Sequence, residues 1–204
     1  MDSDIKRPLI VATTNRGKLP EICDIMADMP FEIMSLDDAV CLGYISEIPA
    51  VVEDGKTFEY NALKKATEIM RQSGITTLAD DSGLEIDFLG GLPGVDSAYY
   101  LGADTPYYKR NKFIVEIMQG VGDDRRAARF VSVITIVSSD GQTLTARGMC
   151  EGIIAHEPMG DGGFGYDPIF FVPSLGKTFA QLSSAEKNAV SHRSVALRKI
   201  KELL

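Results

Sequence analysis

The sequence predicts an α/β protein, a mixed central β-sheet with flanking helices, in one domain over residues 1–204. Three observations carry that expectation. Short apolar runs that suit strands intermix with longer stretches of helical periodicity along the whole chain. A hairpin signal, Asp140-Gly141, lies between two β-rich runs and implies an antiparallel pair. The chain's 204 residues, 45% apolar and 25% charged, suit a globular fold with a sizeable core, and no repeat or linker divides them.

Taken in order, Leu9–Ala12 reads as a short buried strand that runs into the turn Thr13-Thr14-Asn15-Arg16-Gly17. A helix follows over Lys18–Met29, with Pro20 tolerated in its first turn. Phe31–Leu36 suits a second strand. Thr57 is placed to cap a helix through Ser73 that closes on Gly74. Thr77–Ala79 suits a strand ending on Asp80-Asp81, and Leu84–Leu89 another before the Gly90-Gly91 turn. Thr105-Pro106 opens a helix through Met118, and Phe130–Val137 and Thr143–Met149 flank the hairpin turn. Beyond a glycine-rich stretch, Ile169–Val172 reads as a strand. The capping box Ser183-Ser184-Ala185-Glu186 then starts a final helix.

Composition narrows the function. With 21 basic against 29 acidic residues the net charge is -8, which argues against a polynucleotide partner, since backbone binding needs a basic face. A small anionic ligand needs only a few local cations or a metal. Cys23, Cys41 and Cys150 show no paired spacing and there are two histidines, so neither a disulfide framework nor a structural zinc site is expected. Met1–Pro8 is charged and has no apolar signal core, and no run is apolar enough to span a bilayer. The expected location is a reducing cytoplasm.

Six segments carry chemistry. Strand, then Thr13-Thr14-Asn15-Arg16-Gly17-Lys18, then helix, is the geometry of a phosphate cradle, with backbone amides, Arg16 and Lys18 facing an anion. The same residues would equally make a polar turn that caps a helix. Asp80-Asp81-Ser82-Gly83 at a strand end suits a divalent cation or a general base, or else an Asx turn. Glu53-Asp54 could add a metal oxygen, though by composition alone the pair reads better as a solvated loop. At 100° per residue, Lys65 falls at the edge of an apolar stripe formed by Phe58, Ala62, Ala66 and Ile69, with Asn61 beside it. Arg193 projects into the stripe of the last helix, formed by Ala189, Ala196, Ile200 and Leu203, with His192 on its flank. A charge on a buried face needs a partner, within the protein or on a ligand. In the segment 160–168, Gly160-Asp161-Gly162-Gly163-Phe164-Gly165-Tyr166-Asp167-Pro168, glycines allow close approach and Phe164 and Tyr166 offer flat faces for a base, the alternative being a simple flexible loop.

Together these segments resemble the non-canonical purine nucleoside triphosphate pyrophosphatases, the inosine triphosphatase (Ham1/RdgB-like) family. The matching stretches are ATTNRGK, DGKTFEYNALKKA, ADDSGLEIDFLGGLPGVDSA, GDGGFGYDPIFFVP and SSAEKNAVSHRSVAL, in the family's order over residues 12 to 197. The resemblance implies an elongated fold with a central substrate cleft, a homodimer, and magnesium as cofactor. It implies hydrolysis of inosine, deoxyinosine and xanthosine triphosphates to the monophosphate and pyrophosphate, cleansing the nucleotide pool. It assigns the triphosphate to Thr13, Thr14, Asn15, Arg16, Gly17 and Lys18 with Lys65. Asp81 becomes the proton acceptor and a magnesium ligand, Glu53 the second ligand, and Ser82 a substrate contact. Phe164, Gly165, Tyr166 and Asp167, with Lys187, His192 and Arg193, take base and sugar. Tyr60, Asp96, Tyr99 and Thr14 depart from the family's usual residues. A catalytically silent nucleotide sensor is the alternative, and retention of Asp80-Asp81 and Glu53 argues against it, because a pure binder needs no water-activating carboxylate.

Overall fold

The computed structural model describes residues 6–204. The elements run β1 (Arg7–Val11), α1 (Lys18–Met26), β2 (Phe31–Met34), α2 (Leu36–Cys41), α3 (Phe58–Ser73), β3 (Thr77–Ile86) and α4 (Tyr107–Ile117). They continue with β4 (Ala127–Val137), β5 (Thr143–Ile154), β6 (Phe170–Val172), β7 (Lys177–Thr178), α5 (Ser184–Val190) and α6 (His192–Lys201). The strands form one mixed sheet in the order β2-β1-β3-β4-β5-β6-β7, flanked by helices as the sequence predicts. β1 pairs in parallel with β2 and with β3, Ile10 facing Met34 on one side and Thr77 on the other. Each parallel step needs a crossover, supplied by α1 and then by α2 and α3. β5-β6-β7 is antiparallel, and the turn between β4 and β5 sits on Gly141 with φ of 88°.

The chain divides into two compact units, each assembled from separated segments. The first comprises the chain up to Asp81, Ser132–Gly148 and Arg193–Leu204; the second comprises Ser82–Val131 and Met149–His192. Because β3, β4, β5 and α6 contribute residues to both, no linker or composition shift marks the boundary.

In the first unit, β1 is apolar on both faces, as a parallel strand must be. Leu9 and Val11 pack with Ile22, Met26, Leu78, Ile134, Leu197 and Ile200, while Ile10 points the other way to Met34, Ala66, Ile69 and Ala79. α3 starts where Thr57 Oγ1 accepts the Tyr60 amide at 3.2 Å and stops at Gly74, φ 70°. Its buried face is Phe58, Asn61, Ala62, Ala66 and Ile69. In the second unit Phe130, Phe170 and Phe179 form the aromatic centre of the core, Phe130 and Phe179 stacked at 5.5 Å. Buried Arg126 donates to the carbonyls of Met118, Ile154 and Ala155 at 2.6–2.8 Å, satisfying the end of α4.

Several boundaries differ from the sequence reading. β3 is one strand of ten residues where two were expected, with Asp80-Asp81 inside it, and Asp87–Leu89 is a 3-10 turn. Pairing within the sheet and the ionic partners described below override the poor strand propensity of Asp and Gly. The second strand stops at Met34, because Ser35 and Asp38 form a capping box that starts the unexpected α2 at Leu36. α1 ends at Met26 rather than Met29. The final helix breaks at Ser191, whose ψ of 152° is extended, so α5 and α6 have separate faces. The buried stripe of α6 is Ala196, Leu197 and Ile200, while Ala189 and Leu203 are exposed.

Candidate active site

In the first unit, β1 delivers the chain into a turn that is held from within. Thr13 Oγ1 accepts the Asn15 amide at 3.1 Å, and Asn15 Oδ1 accepts the Gly17 amide at 2.9 Å. Two of the amides expected to face an anion are thus engaged by the turn's own side chains. Thr14 and Arg16 are exposed. Lys18 opens α1 and places its Nζ 2.9 Å from Asp80 Oδ2.

The adjacent aspartates of β3 point to opposite faces, as successive strand residues do, and meet different surroundings. Asp80 is 1% exposed. It accepts from Ser132 Oγ at 2.6 Å and from Arg193 Nε and Nη2 at 3.2 and 3.0 Å, beside Lys18. Burial alone would raise its carboxyl. The Arg193 guanidinium, the Lys18 ammonium and the Ser132 hydroxyl outweigh that and hold it well below the usual carboxylate range. Glu21 of α1 pairs with Arg193 Nη1. Lys18 is itself lowered, by burial and then by the neighbouring cations Lys65 and Arg193, against the pull of Asp80.

Asp81 sits in a second cluster. Lys65 Nζ lies 3.1 Å from Asp81 Oδ1, 3.1 Å from Glu53 Oε2 and 3.0 Å from the Asp80 carbonyl. Asn61, one helical turn earlier on the same face of α3, donates to Asp81 Oδ2 at 3.3 Å. Burial pushes the Asp81 carboxyl up to about 6; Lys65 pulls it down, and the neighbouring Glu53 carboxylate adds to the rise. At Glu53 burial works the same way, but Lys65 outweighs it and its carboxyl is lowered. Among the described residues no three acidic, histidine or cysteine side chains form a metal cluster. Magnesium is commonly held by one or two carboxylates together with substrate phosphates, so the pair Glu53 and Asp81 fits it.

In the second unit the glycine-rich segment folds back on Asp167, which is 2% exposed. Asp167 Oδ2 accepts the Phe164 amide at 2.9 Å and Lys187 Nζ at 2.7 Å. The same ammonium lies 4.6 Å from the centre of the half-buried Phe164 ring. Tyr166, expected to offer a flat face, is a core residue: its hydroxyl donates to the Ser97 carbonyl at 2.8 Å and its ring meets Tyr107 edge-on at 5.1 Å. Asn111 donates to the Gly165 carbonyl at 3.0 Å. His192 is buried and stacks on Phe130 at 4.7 Å. Ser82 is half-buried at the start of this unit.

Of the expected residues, the structure therefore brings Lys18 and Arg193 together around Asp80, and Glu53, Lys65 and Asp81 around one carboxylate pair. Phe164, Asp167 and Lys187 meet in the second unit. Glu21, Asn61, Asn111 and Ser132 were not singled out for these sites. Ser132 had a signal, a small polar residue in an otherwise apolar strand, and so had Asn61, which the helical wheel places beside the buried stripe.

Residues 9–203 match the Ham1 family along nearly the full chain. The chain is 42% identical over 196 residues to the dITP/XTP pyrophosphatase of Desulforamulus reducens, covering 96% of this chain and 94% of that one. It is 45% identical over 196 residues to the dITP/XTP pyrophosphatase of Geobacter sulfurreducens, covering 96% of each. Among solved structures, a HAM1 protein from Coxiella burnetii superposes with a TM-score of 0.84 at 36% identity, covering 97% of this chain and 98% of that one. A match of this length, with the sheet order and the buried carboxylates on the motifs that first pointed to it, makes the chain a member of the Ham1 family.

Proposed function

We propose that the protein hydrolyses non-canonical purine nucleoside triphosphates (dITP, ITP and XTP) to the monophosphate and pyrophosphate, and so cleanses the nucleotide pool. The observation that carries this reading is the buried Asp81 carboxylate, gripped by Asn61 at 3.3 Å and by Lys65 at 3.1 Å, with Glu53 held against the same ammonium. Held by two donors and set beside a second carboxylate, Asp81 is placed to orient a water and accept its proton, which is the work of a general base. The relatives' name, dITP/XTP pyrophosphatase, supports the same chemistry and two of these substrates, dITP and XTP.

In this reading Asp81 orients and deprotonates the attacking water. Glu53 and Asp81 would hold magnesium, which when bound neutralises charge on the phosphates. Thr13, Thr14, Asn15, Arg16, Gly17 and Lys18, with Lys65, bind the triphosphate. Positioning and charge neutralisation carry most of phosphoryl transfer, so a set rich in cations suits it. Ser82, Phe164, Gly165 and Asp167, with Lys187, His192 and Arg193, serve base and sugar, and Tyr166 supports this segment from the core. Donors facing position 6 favour the oxygen of inosine and xanthine over the amino group of adenine, and such a mismatch can reject a competitor by roughly 10⁴. The protein works as a homodimer in the cytoplasm, where its three free cysteines stay reduced.

A panel of nucleoside triphosphates assayed with and without magnesium, separating pyrophosphate from orthophosphate, tests the reading. Magnesium-dependent pyrophosphate from dITP and XTP, with ATP a poor substrate, is expected. Equal turnover of ATP, or full activity in chelator, contradicts it.

A further inference from the structure

The Asn61 carboxamide is 2% exposed, and its polar atoms all meet partners. Its Oδ1 accepts the Gly55 amide at 2.8 Å. Its Nδ2 donates to the Gly55 carbonyl at 3.5 Å and to Asp81 Oδ2 at 3.3 Å. Three partners of fixed polarity allow one orientation of the amide, because a flipped group would set oxygen against the carboxylate and nitrogen against an N–H. Gly55 is there for space: a Cβ would fall 2.4 Å from Asn61 Oδ1 and 2.3 Å from Tyr60 Cδ1. The segment clamped in this way begins two residues after Glu53, and the other end of the clamp is the Asp81 carboxylate on β3. Lys65, four residues along α3, grips the second oxygen of Asp81 and also Glu53.

We propose that Asn61, seated on Gly55, is a positioning residue that fixes the Asp81 carboxylate and the Glu53-bearing segment in one working geometry. The inference rests on the proposed roles of Asp81 and Glu53 and adds to them the group that sets their spacing. A side chain that served only to anchor the start of α3 would affect stability and leave the geometry of the two carboxylates to Lys65.

The test uses Asn61→Leu, similar in size but unable to donate or accept, and Gly55→Ala, which displaces the amide while keeping it. Each is measured for kcat and KM with dITP, for melting temperature, and for Mn²⁺ binding to the nucleotide-free protein by electron paramagnetic resonance. Partners that orient metal ligands typically matter by about 10–100-fold, so a loss of that size in kcat, a similar loss in Mn²⁺ affinity and a little-changed KM are expected in both variants. The double variant should be no worse than the worse single one, because both remove the same clamp. Both variants keeping kcat and Mn²⁺ affinity near wild type, or losing only melting temperature, would overturn the proposal. Asp81→Asn measured alongside separates the two layers: near-normal turnover there contradicts Asp81 as base, and Mn²⁺ affinity in the clamp variants then decides the clamp by itself.

Discussion

Asp80 and Asp81 are neighbours on one strand, yet Asp80 is kept ionised by two cations and a hydroxyl while Asp81 is pushed toward neutrality by burial and by Glu53. The division assigns them different work: a carboxylate held well below its usual range is a poor base, and its partners make it an anchor. Asp80→Asn leaves Arg193 and Lys18 buried beside a neutral group, and breaking such a pair typically costs about 3–5 kcal/mol. Asp80's folded value lies below its unfolded value near 3.8. Its contribution is therefore complete above that pH and fades as acid protonates the folded carboxylate. Urea unfolding from pH 7 down to 3 should show a large gap between wild type and Asp80→Asn that narrows at the acid end. A gap independent of pH would contradict the ion-pair account. Arg193→Met tests the other side of the pair. It should lower the melting temperature because Asp80 and Glu21 lose their guanidinium. A hydrogen bond to a charged group is worth about 1.5–3 kcal/mol, so if Arg193 also reads the purine oxygen, the ratio of dITP to ATP turnover should fall roughly ten- to a hundredfold. An unchanged ratio confines Arg193 to the anchor.

At the scale of the element, α3 does the most for the site, since Asn61 and Lys65 lie one turn apart on its buried face. Its cap, stop and stripe were legible in the sequence: Thr57, Gly74 and the spacing of Phe58, Ala62, Ala66 and Ile69 all act as local rules require. Thr57→Ala should therefore cost about 1 kcal/mol in chemical denaturation, with kcat at 25 °C unchanged because the helix remains packed; a loss of activity without a loss of stability would contradict this. β3 was not legible as one strand. Local propensity reads Asp80-Asp81-Ser82-Gly83 as a break, and what keeps the strand going is Lys18, Arg193 and Ser132, from distant parts of the chain. The last helix failed in the opposite sense. A continuous wheel through Ser191 put Ala189 and Leu203 on a buried stripe, and the extended ψ at Ser191 resets the phase so that only Ala196 and Ile200 of that set are buried. Glu21 carries no signal of its role in the sequence, because an acidic residue in a first helical turn is fully explained by the helix dipole.

For the whole molecule, the mixed sheet followed from the order of strand and helix signals, because parallel strands demand crossovers and the hairpin demands an antiparallel pair. Division into two units could not be read in the same way, since each is built from segments far apart in sequence and shares β3, β4 and β5 with the other. The second unit exposes Leu92, Tyr99, Leu101 and Tyr108, an apolar set that a homodimer could bury. Light scattering should then give about 44 kDa, twice the 22.2 kDa chain, and a mass of one chain at micromolar concentration would contradict the dimer. The most direct measurement of Asp81 as the group that drives hydrolysis of a non-canonical triphosphate with release of pyrophosphate is single-turnover product analysis of dITP. It compares wild type with Asp81→Asn, with nucleotide affinity determined in parallel. Wild type should release pyrophosphate and deoxyinosine monophosphate, and the variant should bind dITP comparably while turning it over about 10²–10⁴-fold more slowly. Orthophosphate as the first product, or near-normal turnover by the variant, would contradict it.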